Sequence, residues 1–313
     1  MCHPHPVEAE WERDKERLER GLADIQALLA PLGFTATGAS LIPEGKANTT
    51  YRVETDDGPV ALRLLQRDPR RQANEALLAE RLQGLVPAPR LLAQGDGFMV
   101  YEWREGITME RALLEGRDLP YTRVAVQLSE VRQVLDTLRF PEPGLFNDGL
   151  VVTAGWSSAV QGWFGYAHLL IDAPARDLDF AVRIERILDA AQPRLEALQG
   201  PPVLVHGDFK PANILLDQDG LAAVLDWEFA HVGTRLADVG QLFRFPESLP
   251  QGFGRAFREE CRLDKDAILL ARTLDLTNLL DMRVSAPEDS RRKGDLTARI
   301  KRVCKQYTAR FGL

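Results

Sequence analysis

The chain is short of the residues that would force an unusual architecture. Only three of its 313 residues are cysteine: Cys2, Cys261 and Cys304. Their number is odd and their spacings match no metal-ligand pattern, which argues against a disulfide framework and suits a reducing compartment. Cys2, His3 and His5 crowd the start. They offer donors to a stray metal, but the segment reads as a frayed terminus. No uninterrupted apolar stretch approaches the roughly 20 residues of a membrane span. No apolar core of a signal peptide follows Met1. The expectation is a cytoplasmic protein with no membrane partner. Positive charge is not in excess either: 39 Lys and Arg face 46 Asp and Glu, a net charge of −7. An acidic chain repels nucleic acid. Its longest basic run, Arg291-Arg292-Lys293, sits beside Glu288 and Asp289 and reads as a solvated helix face. There is no internal repeat and no low-complexity tract. What remains is ordinary globular composition, 45% hydrophobic and 27% charged. The length is generous for one core and short for three, so two packed lobes are expected, as monomer or dimer.

Periodicity sorts the chain into two regions. Leu18, Leu22, Ile25, Leu29 and Leu32 alternate spacings of four and three, which predicts a helix over 8–32 that Gly33 stops. Strands are predicted at 35–43, 49–55 and 59–65, with Asp57-Gly58 turning between the last two. Ala73, Leu77, Leu78 and Leu82 predict a helix over 70–84, broken by Val86-Pro-Ala-Pro89. Two strands follow, Arg90 to Ala93 and Phe98 to Trp103, about a turn at Asp96-Gly97. Glu105-Gly106 reads as a linker. Helices are predicted at 108–116, 121–139, 156–172 and 179–199. A β island from Pro202 to Asp226 holds strands at 203–205, 214–216 and 222–225. From about 235 the chain reads as helical. The layout predicts an α+β, bilobal fold: a small five-stranded antiparallel lobe over 1–104 and a larger, mainly helical lobe over 105–313.

Chemistry-bearing residues concentrate in Val205-His-Gly-Asp-Phe-Lys-Pro-Ala-Asn-Ile-Leu-Leu216. An apolar strand breaks into polar residues and resumes, which is how a rigid fold presents a reactive loop. Asp208 and Asn213 stand five apart, with His206 two before Asp208. That is the spacing of a protein-kinase catalytic loop, in which Asp takes the acceptor proton and Asn holds a metal. Ala223-Val-Leu-Asp-Trp-Glu228 ends a second apolar strand on Asp226. A hairpin turning at Asp219-Gly220 would return Asp226 to the side of Asn213, so that two hard oxygens converge on one cation.

Together these motifs resemble the aminoglycoside phosphotransferase and choline kinase family, whose fold is protein-kinase-like. The resemblance implies a phosphotransferase acting on an alcohol group. It would move the γ-phosphoryl of ATP or GTP onto a small-molecule hydroxyl, with Mg²⁺ held by Asn213 and Asp226. Asp208 and His206 would be catalytic. Residues 1–104 would bind nucleotide and 105–313 would carry catalysis and the acceptor. Arg63, in Val60-Ala-Leu-Arg63, matches the family's cation on the α- and β-phosphates, and Glu75 its acidic partner. Gly45-Lys-Ala-Asn-Thr-Thr50 matches the loop over the triphosphate, with Gly45, Asn48, Thr49 and Thr50 as contacts. Lys46 there is either a phosphate contact or solvated. The backbone of Glu102 and Trp103 would read the base, and Asp238 would brace the catalytic loop. His231 reads as a packed histidine.

The acceptor stays open. Glu259, Glu260, Asp264, Asp266, Asp275 and Asp281 would suit a polycationic aminoglycoside, or they are solvated helix faces. Trp156, Trp163, Phe164 and Tyr166 would suit a quaternary ammonium, as in choline recognition, or they are helix core. A sugar or another amino alcohol also fits, in drug resistance or in metabolism. A non-catalytic nucleotide-binding protein would be expected to lack Asp208, Asn213 or Asp226. A kinase of polypeptides would be expected to carry Asp-Phe-Gly and Ala-Pro-Glu, which are absent here.

Overall fold

A computed structural model describes residue 11 and residues 16–44, 48–66, 69–152, 155–171 and 178–313. Gly45, Lys46, Cys2, His3 and His5 lie outside the described residues, as do 8–10 and 12–15 of the expected first helix. The rest of that stretch corrects the expectation. Only Leu22–Leu29 (α1) is α-helical, followed by a tight turn over Ala30–Leu32. The segment before it is not helical, because its amides are taken by a neighbour. Leu18 N donates to Thr49 Oγ1 at 2.9 Å and Arg20 N to Tyr51 Oη at 2.7 Å. Gly33 ends the element at φ 87°, as a left-handed cap.

Five strands form one antiparallel sheet: β1 (Ala36–Ile42), β2 (Thr49–Thr55), β3 (Val60–Leu64), β4 (Leu91–Gly95) and β5 (Phe98–Glu102). Their order is β1-β2-β3-β5-β4, and α2 (Pro69–Leu82) lies between β3 and β4 in the chain. Period-two alternation buries Tyr51 and Val53 on one face, against Leu62 and Val100 and against Ile25 and Leu29 of α1. Ile25 and Leu29 are fully buried, each contributing about 2 kcal/mol of transfer free energy.

Beyond β5 lies a two-residue strand that periodicity did not reveal, β6 (Ile107–Thr108). Then come α3 (Met109–Leu114), α4 (Tyr121–Thr137), α5 (Ala159–Ile171) and α6 (Leu178–Glu196). The β island follows: β7 (Val203–Val205), β8 (Ile214–Asp217) and β9 (Gly220–Val224). A further unforeseen strand, β10 (His231–Gly233), pairs antiparallel with β7, while β6, β8 and β9 form a three-stranded sheet. The chain closes with α7 (Leu236–Leu242), α8 (Phe253–Cys261), α9 (Lys265–Leu274), α10 (Leu276–Ser285) and α11 (Arg291–Phe311). One apolar core runs through this part, centred on Phe164, Phe253, Phe257 and Tyr307. Cys261 and Cys304 are free and buried within it, and burial pushes the Cys304 thiol up to about 11. No helix among the described residues is long and apolar enough to cross a membrane.

Candidate active site

A cavity of about 420 Å³ separates the five-stranded sheet from the β island. Thr50, Ala61, Arg63 and Tyr101 line it from the sheet. Asn213, Leu215, Leu225 and Asp226 line it from the island. Two loops leave the island at this place: 206–213 between β7 and β8, and 225–230 between β9 and β10.

The first loop is held from below by α7. Asp238 accepts from His206 N and Gly207 N, each at 3.0 Å, which is the bracing role expected of it. Gln241, one turn along the same helix, accepts from Phe209 N at 2.7 Å and donates to Gly207 O at 2.6 Å. Sequence reading missed Gln241. The available signal was a buried amide three residues after Asp238 in an otherwise apolar run. His206 is fully buried. Its Nε2 contacts Leu225 O at 2.9 Å and its Nδ1 lies 3.2 Å from the Asp208 amide. Both ring nitrogens are therefore engaged with backbone, so the catalytic role expected of His206 gives way to a positioning one. It ties the two loops together.

Gly207 has φ +83°, and a Cβ there would lie 2.2 Å from Phe229 O. Gly207→Ala would combine left-handed strain with a clash against backbone. It is expected to cost more than about 2 kcal/mol, and thermal unfolding of the variant measures this.

Asp208 Oδ2 accepts from Asn213 Nδ2 at 2.9 Å and lies 3.1 Å from Lys210 Nζ. Asn213 Nδ2 also donates to Asp208 O at 2.9 Å. With its nitrogen committed to Asp208, Oδ1 is the atom Asn213 could offer to a ligand. Leu225 N donates to Asn213 O at 2.8 Å, so the hairpin does return Asp226 beside Asn213. Asp226 sits at φ +65°, a left-handed conformation that costs a non-glycine residue about 1 kcal/mol or more.

Arg63 organises the carboxylates. Its Nη1 is 2.6 Å from Glu75 Oε1, the expected pair. Its Nη2 is 2.6 Å from Asp226 Oδ1 and 3.5 Å from Glu228 Oε1, two contacts across the cleft that sequence reading did not foresee. Tyr101 Oη donates to Glu75 Oε1 at 3.0 Å. Burial works against the Arg63 charge, but Asp226, Glu75 and Glu228 outweigh it and hold the guanidinium well above its ordinary range. Burial likewise opposes ionisation of Asp226, but Arg63 and then His206 pull it below the usual carboxylate value. Glu75 is pushed up, because burial exceeds the pull of Arg63. One guanidinium thus serves three carboxylates.

The remaining expected contacts divide. Thr50 lines the cavity. Thr49 does not face it: its side chain is buried and accepts Leu18 N, since successive strand residues point to opposite faces. Asn48 is turned inward as well. It donates to Glu228 Oε1 at 3.3 Å and accepts from Gln66 N at 3.2 Å, a tie between the sheet and the 225–230 loop. Glu102 and Trp103 line the cavity. The Glu102 amide, however, already donates to Arg90 O at 2.9 Å, so it is not free to read a base.

The acidic residues proposed for the acceptor do not converge. Asp275 forms a buried two-pronged ion pair with Arg244 at 2.7 and 2.8 Å. Asp264 caps α9 through Ala267 N at 2.7 Å. Asp266 pairs with Arg310 at 2.7 Å. Glu259 and Glu260 lie exposed on α8, which packs against α4. Asp281 joins α10 to α5, accepting from Tyr166 Oη at 2.6 Å. Burial and that bond push the Tyr166 phenol up to about 12. Asp275→Asn should therefore cost stability by roughly 3 kcal/mol, because it strands a buried guanidinium, and leave the acceptor KM of the folded enzyme unchanged. Chemical denaturation beside steady-state kinetics checks both halves. Among the aromatics, Phe164 is core. Trp163 meets Trp156 at 5.4 Å and stands edge-on to His231 at 5.1 Å. His231 is buried, as expected of a packed histidine, and burial lowers its pKa.

The chain matches the family model described as "Phosphotransferase enzyme family" over residues 38–267. No curated protein matches it. Among solved structures it is similar to the GDP and kanamycin complex of APH(2″)-IIIa, at 16% identity and a TM-score of 0.69, over 92% of this chain and 99% of that one. It is also similar to aminoglycoside phosphotransferase APH(4)-Ia, at 16% identity and TM-score 0.70, over 90% and 98%. A third is a protein assigned as a fructosamine-3-kinase from Thermobifida fusca YX-ER1, at 22% identity and TM-score 0.64, over 91% and 98%. At these identities the likeness carries the protein-kinase-like fold.

Proposed function

The chain belongs to the phosphotransferase enzyme family, whose members act on alcohol groups, and on that premise we propose that it is a Mg²⁺-dependent small-molecule kinase using ATP or GTP. The observation that carries this reading is that Asn213 and Asp226 line the cavity together with Arg63 and Glu75, with Asp208 bonded directly to Asn213. Residues 1–104 supply most of the nucleotide wall and 105–313 the catalytic loops and the acceptor side.

The residues fit a divalent cation. Asn213 Oδ1 and the Asp226 carboxylate are hard oxygens, and the surrounding carboxylates outnumber Arg63. Among the described residues no three or more His, Cys, Asp or Glu side chains are grouped to hold a metal by themselves. That suits Mg²⁺, which keeps few protein ligands and takes the rest from phosphate and water. When bound, the cation supplies charge neutralisation to the β- and γ-phosphates.

The chain's own residues do the rest. Arg63 holds non-transferred phosphate oxygens with its fork. Glu75 and Tyr101 keep that guanidinium in place. Asp208 orients the acceptor hydroxyl and takes its proton, while Asn213 fixes the carboxylate rotamer. Asp238, Gln241 and His206 hold the loop rigid, so little reorganisation remains for the reacting step.

The acceptor is a small hydroxyl compound. The scattered acidic residues no longer favour a polycation, and an amino alcohol, a sugar or an aminoglycoside remain as classes to assay. Nucleoside diphosphate formation with ATP or GTP across such a panel tests the proposal. Acceptor-stimulated turnover that needs Mg²⁺ is the expected result. Tight Mg·nucleotide binding with no stimulation by any acceptor would move weight to a non-catalytic nucleotide-binding role.

A further inference from the structure

We propose that the chain carries a second ligand site, outside the nucleotide cleft, for a primary ammonium group. A cavity of about 550 Å³ opens where α5 begins, with Glu142, Trp156, Ser157, Gln199 and Gly233 among its lining. It lies at the far end of the β7–β10 ladder. Val203 pairs with Gly233 there, while Val205 leads into the Asp208 loop from the other end. No residue of 206–213 or 225–230 lines it.

Two glycines shape its wall. A Cβ at Gly162 would lie 2.1 Å from the Trp156 ring, so the indole is seated directly on α5, and Trp163 meets it at 5.4 Å. A Cβ at Gly155 would lie 2.7 Å from Glu142 Oε2, so the carboxylate reaches the backbone next to Trp156. The segment that carries Glu142 is pinned. Phe140 N donates to Pro202 O at 3.1 Å, Gly144 N to Val232 O at 2.9 Å, and Trp156 N to Pro143 O at 3.1 Å. The Glu142 carboxylate itself takes no ion pair or hydrogen bond among the described residues, and no lysine or arginine lines the cavity. Beside Gly233 stands a second unused acceptor. His231 Nδ1 meets Phe229 O at 3.0 Å; a carbonyl can only accept, so Nδ1 holds the proton and Nε2 keeps a lone pair. That Nε2 is buried with no partner, and a Cβ at Gly233 would lie 3.2 Å from it. An indole, a carboxylate and a spare lone pair, with no cation of their own, match an ammonium. The ring attracts its charge and the carboxylate accepts its N–H bonds. An anion would meet no charged donor here.

The test titrates the full chain with phenethylammonium, and with phenethyl alcohol as its neutral isostere, by calorimetry and tryptophan fluorescence. The wild type should bind the ammonium saturably, with a fluorescence change, and bind the alcohol at least 10-fold more weakly. Glu142→Gln, at an exposed position, should fold and lose roughly 10-fold in ammonium affinity, as for one charge-assisted hydrogen bond. In Trp156→Phe the heat of binding should persist and the fluorescence change should vanish. Saturating Mg·ADP should leave the affinity unchanged, because the site lies outside the cleft. No saturable binding, equal binding of the alcohol, full affinity in Glu142→Gln, a fluorescence change that survives in Trp156→Phe, or displacement by Mg·ADP would each overturn the site. Failure of the kinase reading looks different: turnover would be missing with every acceptor, while phenethylammonium binding and its loss in Glu142→Gln would stand.

Discussion

Asp208→Asn should lower acceptor-dependent turnover by roughly 10²–10⁴-fold, the range for losing a positioned general base, and leave Mg·ADP affinity nearly unchanged. The substitution keeps the shape of the side chain and an oxygen for Asn213 Nδ2, which now bonds Asp208 at 2.9 Å. The loop should hold, because its ties run through Asp238 and Gln241 rather than through the Asp208 carboxylate. A thousandfold loss corresponds to about 4 kcal/mol of transition-state stabilisation. Single-turnover kinetics beside a calorimetric ADP titration separates the two effects. Equal losses in turnover and in ADP affinity would mean that Asp208 shapes the nucleotide site instead of accepting a proton.

The second large effect belongs to Arg63. Arg63→Met keeps the length of the side chain and removes its charge. Glu75 and Glu228, with side chains only 4% and 3% exposed, and Asp226 would then face one another with no guanidinium between them. Removing one partner of a buried ion pair costs about 3–5 kcal/mol, here roughly 10 °C in melting temperature for a chain of this size. The deficit should depend on pH. In the variant, burial and mutual repulsion raise the folded-state carboxylates above their unfolded values. Protons then bind the folded state more readily, so the lost stability returns as pH falls and deepens as pH rises through the raised values. Mg²⁺ alone should stabilise the variant more than the wild type, since the cation would replace the missing charge. Thermal melts from pH 5 to 8, with and without Mg²⁺, read all three effects. A pH-independent deficit that ignores Mg²⁺ would show Arg63 acting by packing alone.

The reading from sequence succeeded where local pattern and structure obey the same constraint. Strands β1, β2, β3, β4 and β5 alternate because one face is buried, so their residues announced them to within about two positions. Asp208, Asn213 and Asp226 were legible because each stands at a fixed distance from an apolar strand end. Asp238 and the Arg63–Glu75 pair came from the family resemblance and not from pattern. The failures share a physical cause, which is dependence on distant partners. The leucines before Gly33 have helical spacing, but Thr49 and Tyr51 capture the amides of Leu18 and Arg20 from about thirty residues away. β6 and β10 are two and three residues long, too short to display a period. Asp275 looked like a free acid on a helix until Arg244, 31 residues earlier, was found buried against it. The contacts of Arg63 with Asp226 and Glu228 depend on how the sheet sits over the island, which no local pattern encodes.

The central claim is that a phosphoryl group passes from nucleotide to a small hydroxyl compound at the Asp208 loop. The most direct measurement is ³¹P NMR of the protein with Mg·ATP and each acceptor of the panel, run beside Asp208→Asn. A new phosphomonoester resonance, growing as ADP appears and missing from the variant, is the predicted result. ADP accompanied only by orthophosphate, at equal rates in both proteins and with every acceptor, would contradict it.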